Sequence, residues 1–365
     1  MSRMPFGLLG LVLIMLSGCG NDDGARNGGH GYADLGSAAN GYAQASPGRA
    51  LDFPADHGAH PAYRIEWWYL TANLEDAAGH DYGLQWTLFR QAMAPPGQPQ
   101  PPESPWASHQ LWMAHAALTT PTGHRLSERF ARGGSGQAGV TAQPFAAWLD
   151  DWQLQSSGKT FTPLTVAARG DDFAYRLALT ADGPLVLQGV NGFSQKSPDG
   201  QGSYYYSQPF LHATGTLNVD GKPVEVHGKA WLDREWSSQL LGGDQAGWDW
   251  FSLHLEDGYK LMAFRLRGTQ DFISGSWITP DGSVTPLDGD DITLEPLKQR
   301  KVQGHRLPLR WRLTLSHLQP QRDLTLDVAA VIDDQWMATT FAYWEGAVRV
   351  TGDRKGVGYL EMTGY

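Results

Sequence analysis

Short runs of alternating apolar and polar residues dominate the chain beyond Gly48. Such runs are Tyr82 to Leu88, Phe173 to Leu179, Leu261 to Leu266, Leu309 to Leu315 and Leu324 to Val331. Alternation with a period of two places one face of a β-strand against a core and the other face in water. Asp-Gly pairs, which favour tight hairpin turns, fall between the runs. The pattern predicts an all-β fold.

The chain also contains an internal repeat. The segment Trp67 to Asp76 resembles Trp248 to Asp257, and each half ends on Gly, an aromatic residue, Leu and an acid, at Asp233 and at Glu361. Several matches in the same order indicate two copies of one β-domain. We therefore expect an N-terminal domain over residues 49–243 and a C-terminal domain over residues 244–365.

Each predicted domain has many antiparallel strands and must protect its edge strands from pairing with other chains. Closure into a barrel removes the edges altogether. Two lipocalin-like antiparallel β-barrels are therefore the preferred architecture, and a pair of β-sandwiches is the alternative. A barrel of about eight strands has room inside for packed side chains or for one small ligand.

The N-terminus carries an export signal. Arg3 precedes an apolar run from Phe6 to Leu16, which is followed by Ser17, Gly18 and Cys19. The run is shorter than the roughly 20 apolar residues that a spanning helix needs, so residues 1–18 are predicted to be a cleaved lipoprotein signal peptide. Cys19, the only cysteine of the chain, is the predicted lipidation site.

Residues 19–48 are rich in glycine and small polar residues and contain few large aliphatic ones. This composition predicts a flexible tether. Together with Cys19 it predicts a protein of the cell envelope, anchored by lipid at the periplasmic face. Gly20 and Asn21 form no evident inner-membrane retention signal, so the outer membrane is the preferred location.

Charge and composition narrow the range of partners. The formal net charge is −10 and the chain has no basic run, which argues against nucleic acid as a partner. The 15 tryptophans, 44 glycines and 22 prolines fit many short strands and tight turns. No cofactor is predicted.

One polar turn contains a candidate for metal binding or acid–base chemistry. Asp56, His57 and His60 precede Pro61, and a His-x-x-His pair beside a carboxylate has suitable groups for either task. No third ligand is identifiable from spacing, so no metal site is predicted. The alternative is that these side chains hold the backbone where the chain enters the first domain.

Three acids lie among tryptophans and are the candidate catalytic residues: Asp233, Glu235 and Glu66. On a strand, Asp233 and Glu235 point to one face and Arg234 points to the other. Carboxyl groups clustered among aromatic rings tend to have raised pKa values. A buried Glu66 needs a partner, for which Arg234 and Arg90 are the natural choices, and a structural ion pair at the domain interface is the alternative.

Aromatic residues near these acids are the candidate ligand-binding residues. They are Trp67, Trp68, Tyr69, Tyr205, Trp236, Trp248 and Trp250. Aromatic side chains can line a ligand cavity, although in β-proteins they more often form the core. A serine nucleophile has no support, because no Gly-x-Ser-x-Gly motif occurs.

Three motifs resemble a known family. The stretch from Phe53 to Pro61, the run Glu66 to Tyr69, and the run Trp231 to Ser237 are similar to the AttH and carotenoid 1,2-hydratase family, and the C-terminal residues Tyr343 to Tyr365 resemble its second lipocalin-type domain. The resemblance implies two lipocalin-like domains and an exported location. It also implies association with a membrane transport system of ABC type, as in many relatives.

One branch of that family hydrates carotenoid chains. Protonating a carbon–carbon double bond requires a positioned acid and aromatic walls that stabilise the cation. From the resemblance we expect a histidine where this chain has Arg234, and a Tyr and an Asp on a later strand, whereas Leu261 to Leu266 carries no acid. The favoured function is therefore a non-enzymatic protein that binds a hydrophobic or amphipathic molecule or lipid. A hydratase- or hydrolase-like enzyme is the alternative.

Overall fold

The computed structural model describes residue 35 and residues 39–98, 108–318 and 323–365. The predicted signal peptide and Cys19 lie outside the described residues. Within the described part, a 3₁₀ turn at Ala55–His57 is the only helical element and no helix is long and apolar enough to cross a membrane. The prediction of an all-β fold with two antiparallel barrel-type domains is confirmed.

Thirteen strands form the first sheet, a nearly closed barrel. They are β1 (Ile65–Asp76), β2 (Asp81–Ala92), β3 (Gln110–Thr120), β4 (Gly123–Arg132), β5 (Ala138–Ala142), β6 (Phe145–Leu149), β7 (Trp152–Ser156), β8 (Leu164–Arg169), β9 (Phe173–Ala181), β10 (Val186–Leu187), β11 (Phe193–Gln195), β12 (Gly202–Val219) and β13 (Lys222–Ser237). The order along the sheet is β4-β3-β2-β1-β13-β12-β9-β8-β7-β6-β5, and β10 and β11 pair with β12.

Ten strands form the second sheet, a half-barrel. They are β14 (Gly247–Leu255), β15 (Lys260–Arg267), β16 (Phe272–Ile278), β17 (Val284–Asp288), β18 (Ile292–Val302), β19 (His305–Leu315), β20 (Leu324–Ala330), β21 (Trp336–Met337), β22 (Tyr343–Gly352) and β23 (Gly356–Met362). The order is β17-β16-β15-β14-β23-β22-β20-β19-β18, and β21 pairs with β22.

The two sheets repeat one arrangement. In each, the first strand lies between the second strand and the last: β1 pairs with β2 and β13, and β14 pairs with β15 and β23. The residues between the sheets, 238–246, include the predicted domain boundary. From Ala39 onward, the predicted tether packs on the first domain, where the backbone N–H of Ser46 donates to the Tyr204 hydroxyl at 3.1 Å.

Apolar side chains form a core inside each sheet and a third cluster between the sheets. Trp68 and Leu70 of β1 belong to the core of the first barrel, and Phe251 of β14 belongs to the core of the second sheet. Tyr69 and Trp250 belong to the third cluster, where their rings meet edge to face with centroids 5.3 Å apart. Both faces of β1 and β14 are therefore buried, which explains their nearly continuous apolar runs.

Close packing between the domains depends on Gly83 of β2. A Cβ atom at this position would lie 2.6 Å from the Tyr359 hydroxyl and 2.9 Å from the Cβ of Ala347. Because real Cβ atoms do not approach so closely, only glycine lets β22 and β23 reach the first sheet here. A hydrogen bond of 2.9 Å from the Asn73 side chain to the Gly358 carbonyl adds a polar contact.

Candidate functional site

A partly enclosed cavity of about 130 Å³ lies between the two sheets. It is lined mainly by apolar and aromatic side chains from both domains, among them Ile65, Trp67, Tyr69, Phe89, Met113, Trp248, Trp250 and Phe264. These residues lie on the faces of β1, β2, β3, β14 and β15 that point away from the two cores. Concave sites with apolar walls and few polar groups are typical of small-molecule binding.

Asp233 of β13 is one of the cavity's acids. Its Oδ1 accepts a hydrogen bond from the Trp231 indole N–H at 2.7 Å and another from the Ser207 hydroxyl. Burial raises the pKa of this carboxyl to about 7, although these hydrogen bonds act in the opposite direction. Near neutral pH the group is therefore able both to donate and to accept a proton.

Glu361 of β23 is the counterpart of Asp233 in the second domain. Its Oε1 accepts the Trp248 indole N–H at 2.5 Å. Burial raises the pKa of Glu361 to about 7, and the nearby charges of Glu235 and Asp233 act in the same direction. Both acids therefore reach one cavity from different domains.

Glu235 differs from these two acids because a cation pairs with it. The Lys196 ammonium lies 2.9 Å from Glu235 Oε1, and the Ser203 hydroxyl donates to the same oxygen. Lys196 Nζ also lies over the Phe264 ring, 4.1 Å from its centroid. The Lys196–Glu235 pair is a fixed polar group in a cavity wall that is otherwise largely aromatic.

Glu66 lies away from the cavity, on the inner face of the first barrel. Its carboxylate pairs with the guanidinium groups of Arg90 and Arg234 and accepts the backbone N–H of His60 at 2.9 Å. Burial would raise the pKa of Glu66, but the two arginines hold it well below its ordinary value. This candidate catalytic residue is therefore an ionised partner in a structural network, and the network lies within one domain rather than at the domain interface.

The predicted side-chain directions on β13 agree with the structure. Asp233 and Glu235 line the cavity, whereas Arg234 points into the barrel, where its guanidinium lies over the rings of Trp68 and Trp236 at 3.9 and 4.8 Å. Cations over aromatic faces are attracted by the ring quadrupole. Arg234 thus links the Glu66 network to the aromatic core.

The polar turn before β1 docks against this network. Asp56 Oδ1 is 2.7 Å from the Arg49 guanidinium and 2.9 Å from His60 Nε2. His57 Nδ1 lies 2.6 Å from the Tyr206 hydroxyl. Burial lowers the pKa of His57 to about 4, which keeps it neutral. Among the described residues no His, Cys, Asp and Glu cluster could hold a metal ion, and these side chains hold the chain where it enters the first barrel.

The predicted ligand-binding aromatics divide between two places. Trp67, Tyr69, Tyr205, Trp248 and Trp250 line the cavity. Trp68 and Trp236 do not, because successive residues on a strand point to opposite faces. Trp68 belongs to the core of the first barrel, and Trp236 packs in a separate cluster with Phe193, Tyr204 and Tyr206. Two of the seven predicted aromatic residues therefore lie outside this cavity.

Several cavity residues were not predicted from the sequence. Glu361 could have been found, because it occupies the repeat position that corresponds to Asp233. Lys196, His115 and Tyr343 also line the cavity. Lys196 follows a short edge strand, and His115 meets Tyr343 only through domain packing. The local sequence around these three residues therefore gives no sign that they line a cavity.

Comparisons with known proteins agree with this architecture. The model of the AttH-like family matches residues 44–365. The crystal structure of an AttH protein from Nitrosomonas europaea is similar with a TM-score of 0.78 and 36% identity, over 88% of this chain and 99% of that chain. No curated protein matches the chain.

Two more distant structures share the fold. Kievitone hydratase from Nectria haematococca is 14% identical with a TM-score of 0.63, over 86% of this chain and 95% of that chain. The crystal structure of CghA with Sch210972 is 14% identical with a TM-score of 0.53, over 83% of this chain and 89% of that chain. At this identity the likeness concerns the fold alone.

Proposed function

The chain belongs to the AttH-like family, and we propose that it binds a hydrophobic or amphipathic small molecule or lipid in the cavity between its two sheets. The observation that carries the proposal is the cavity wall, in which aromatic side chains of both domains surround a few carboxyl groups and one lysine. Apolar walls favour a ligand with an apolar body, and the polar groups orient its head.

We expect this protein to bind its ligand while exported and anchored to a membrane. The lipoprotein signal pattern that ends at Cys19 supports attachment to the periplasmic face of the cell envelope, preferably at the outer membrane. Association with an ABC-type transport system is the further expectation from the family resemblance. Its test is co-purification of transporter subunits with the anchored protein after mild detergent extraction.

The binding proposal is tested by solvent extraction of the purified protein followed by mass spectrometry. We expect a lipid-soluble compound in the wild type and its loss from Met113→Trp, since the larger ring would fill the cavity. Leu297→Trp is the matched control, because Leu297 is 44% exposed and lies on the second sheet away from the cavity. Retention of the compound by Met113→Trp would contradict the proposal.

The acids of the cavity favour a second candidate, a hydratase- or hydrolase-like enzyme. A carboxyl group with a pKa of about 7, such as that of Asp233, can give its proton to one carbon of a double bond. Aromatic walls would stabilise the resulting cation, and water would add to the other carbon and release its proton to a carboxylate. The fold shared with kievitone hydratase is compatible with this chemistry.

Isotope exchange separates the two candidates. An enzyme that reversibly protonates a carbon atom incorporates deuterium from D₂O into carbon–hydrogen bonds of the extracted compound. Such incorporation by the wild type and its absence with Asp233→Asn would establish the enzyme. Binding without incorporation, and without conversion of the compound during prolonged incubation with the wild type, would exclude the hydratase and the hydrolase and favour the non-enzymatic protein.

A further inference from the structure

A row of hydrogen-bonding side chains crosses the domain interface beside the cavity. Glu128 Oε1 of β4 lies 3.0 Å from His115 Nε2 of β3, and His115 Nδ1 lies 2.8 Å from the Tyr343 hydroxyl of β22. Tyr343 and Glu345 lie two residues apart on the same face of β22, and the Tyr343 hydroxyl lowers the pKa of the Glu345 carboxyl. The contacts of His115 with Glu128 and with Tyr343 are therefore within reach of proton transfer.

The row runs from the surface to the interior. The Glu128 side chain is 18% exposed, whereas the His115 side chain is 1% exposed, and Glu345 is also 1% exposed. Hydrogen bonds from the backbone and side chain of Thr340, in the second domain, fix the Glu128 carboxylate against the interface. Glu128, at the outer end, is thus the member of the row most exposed to solvent.

The inner end lies at the cavity. His115 and Tyr343 line it directly, and the Tyr69 hydroxyl, also in its wall, donates to Glu345 Oε1 at 2.5 Å. Glu345 is the cross-strand neighbour of Glu361 on β23. A ligand that fills an aromatic cavity displaces its water, and side chains then offer a route by which protons reach the cavity's acids.

We propose that Glu128, His115 and Tyr343 form a proton path that connects solvent with the buried carboxyl group of Glu345. The path rests on the proposed function, since it would serve the acids of the ligand cavity. His115 and Tyr343 are relay residues that pass protons on, and Glu128 is the exchange point with water.

Proton transfer along this row balances at every group. For inward transfer, protonated Glu128 gives its proton to His115 Nε2, His115 Nδ1–H passes a proton to the Tyr343 oxygen, and the Tyr343 hydroxyl proton goes to the Glu345 carboxylate. His115 and Tyr343 each gain one proton and lose one, Glu128 loses one, and Glu345 gains one. Outward transfer uses the same bonds in reverse with the other imidazole tautomer.

The electrostatics of the row agree with these roles. Burial raises the pKa of Glu345 well above its ordinary value, which favours the protonated form of this group. Burial lowers the pKa of His115, so the imidazole is neutral and has one nitrogen free to accept. Burial would raise the pKa of Glu128, but hydrogen bonds from His115 and Thr340 lower it overall, which leaves an ionised group at the outer end.

The experiment measures hydrogen–deuterium exchange of the Glu345 carboxylic acid by infrared spectroscopy. Its C=O band is identified as the one that Glu345→Gln removes, and the rate at which it shifts is followed after transfer into D₂O. We expect exchange to slow at least about tenfold in His115→Phe and in the more conservative Tyr343→Phe, because each removes a relay step. Added imidazole should restore exchange in His115→Ala.

His124→Asn is the matched control. His124 also lies on β4 at the interface, 3.3 Å from the Met337 sulfur, but it has no place in the row. In His124→Asn the Glu345 carboxylic acid should exchange at the wild-type rate. A slower rate in this control would show that disturbing the interface alone changes the exchange. Unchanged exchange in both His115→Phe and Tyr343→Phe, or the absence of a protonated Glu345 band at neutral pH, would overturn the proton path.

This measurement needs no ligand, so its failure is distinct from failure of the proposed function. If no compound is extracted but exchange follows the expected pattern, ligand binding is wrong and the path stands. If a compound is extracted and the two relay variants exchange at the wild-type rate, the binding site stands and the path is wrong.

Discussion

Asp233 and Glu361 occupy corresponding positions on the last strands of the two domains and face the same cavity. Each carboxylate accepts the indole N–H of a tryptophan, Trp231 at 2.7 Å and Trp248 at 2.5 Å. Each also lies opposite an aromatic residue of the first strand, Tyr69 or Trp250. The internal repeat has thus placed corresponding acids of the two domains in one cavity.

Removing the Glu66 carboxylate should strongly destabilise the protein. Glu66→Gln leaves the buried guanidinium groups of Arg90 and Arg234 without their counter-charge. Breaking a buried pair in this way costs about 3–5 kcal/mol of unfolding free energy. Chemical denaturation followed by tryptophan fluorescence measures the loss.

Asp327→Asn is the control for that measurement. Asp327 pairs with Arg312 at 2.9 Å, and these side chains are 40% and 45% exposed, so the pair lies at the surface. Surface pairs contribute little, so the denaturation midpoint should hardly change. A wild-type midpoint for Glu66→Gln would show that the buried network is dispensable.

The pH dependence of stability should contain a contribution from Asp233. The folded protein binds this proton more tightly than the unfolded chain, because burial raises the pKa from 3.8 to about 7. The contribution of this proton to the free energy of unfolding is fully present below the unfolded pKa and is lost as the pH rises through the folded pKa. A pKa shift of that size corresponds to a loss of as much as about 4 kcal/mol of unfolding free energy by pH 8.

Asp233→Asn removes this titration, so its stability relative to the wild type should improve between pH 4 and pH 8. Denaturant titrations at both pH values measure the difference. Asp327→Asn again provides a control in which no such trend is expected. A constant difference between Asp233→Asn and the wild type at the two pH values would be inconsistent with a raised pKa.

Lipidation at Cys19 should decide where the protein resides. Cys19→Ala removes the thiol that accepts the lipid, so the variant should remain unprocessed by the lipoprotein peptidase and should not be anchored. Globomycin should likewise cause the wild-type precursor to accumulate. Fractionation and immunoblotting measure both effects. A Cys19→Ala variant that is still processed and still membrane-bound would disprove the assignment.

The fold class was predictable because alternation is a local property of each strand. The runs Phe173 to Leu179 and Leu309 to Leu315 lie within β9 and β19. The run Trp67 to Tyr69 was harder to interpret, because both faces of β1 are buried and apolar residues occupy both. The sequence could identify the aromatic cluster but could not assign Trp68 to the barrel and Trp67 to the cavity.

The site was predictable only where the sequence repeats or clusters its acids. Asp233 and Glu235 stand out because they flank Arg234 among tryptophans. His115 and Tyr343 are 228 positions apart in the chain and meet through domain packing, which no local pattern encodes. Glu66 was recognised as a buried charge, but its location inside one barrel depends on the register of β1 with β2 and β13.

The central claim is that a ligand binds between the domains, and photo-crosslinking tests it most directly. A fatty acid that carries a diazirine is bound to the purified protein, activated by light, and located by peptide mass spectrometry. The account predicts adducts on both β1 and β14, near Trp67 and Trp248, which the extracted compound should suppress by competition. Adducts confined to one domain, or unaffected by the competitor, would contradict a binding site between the two sheets.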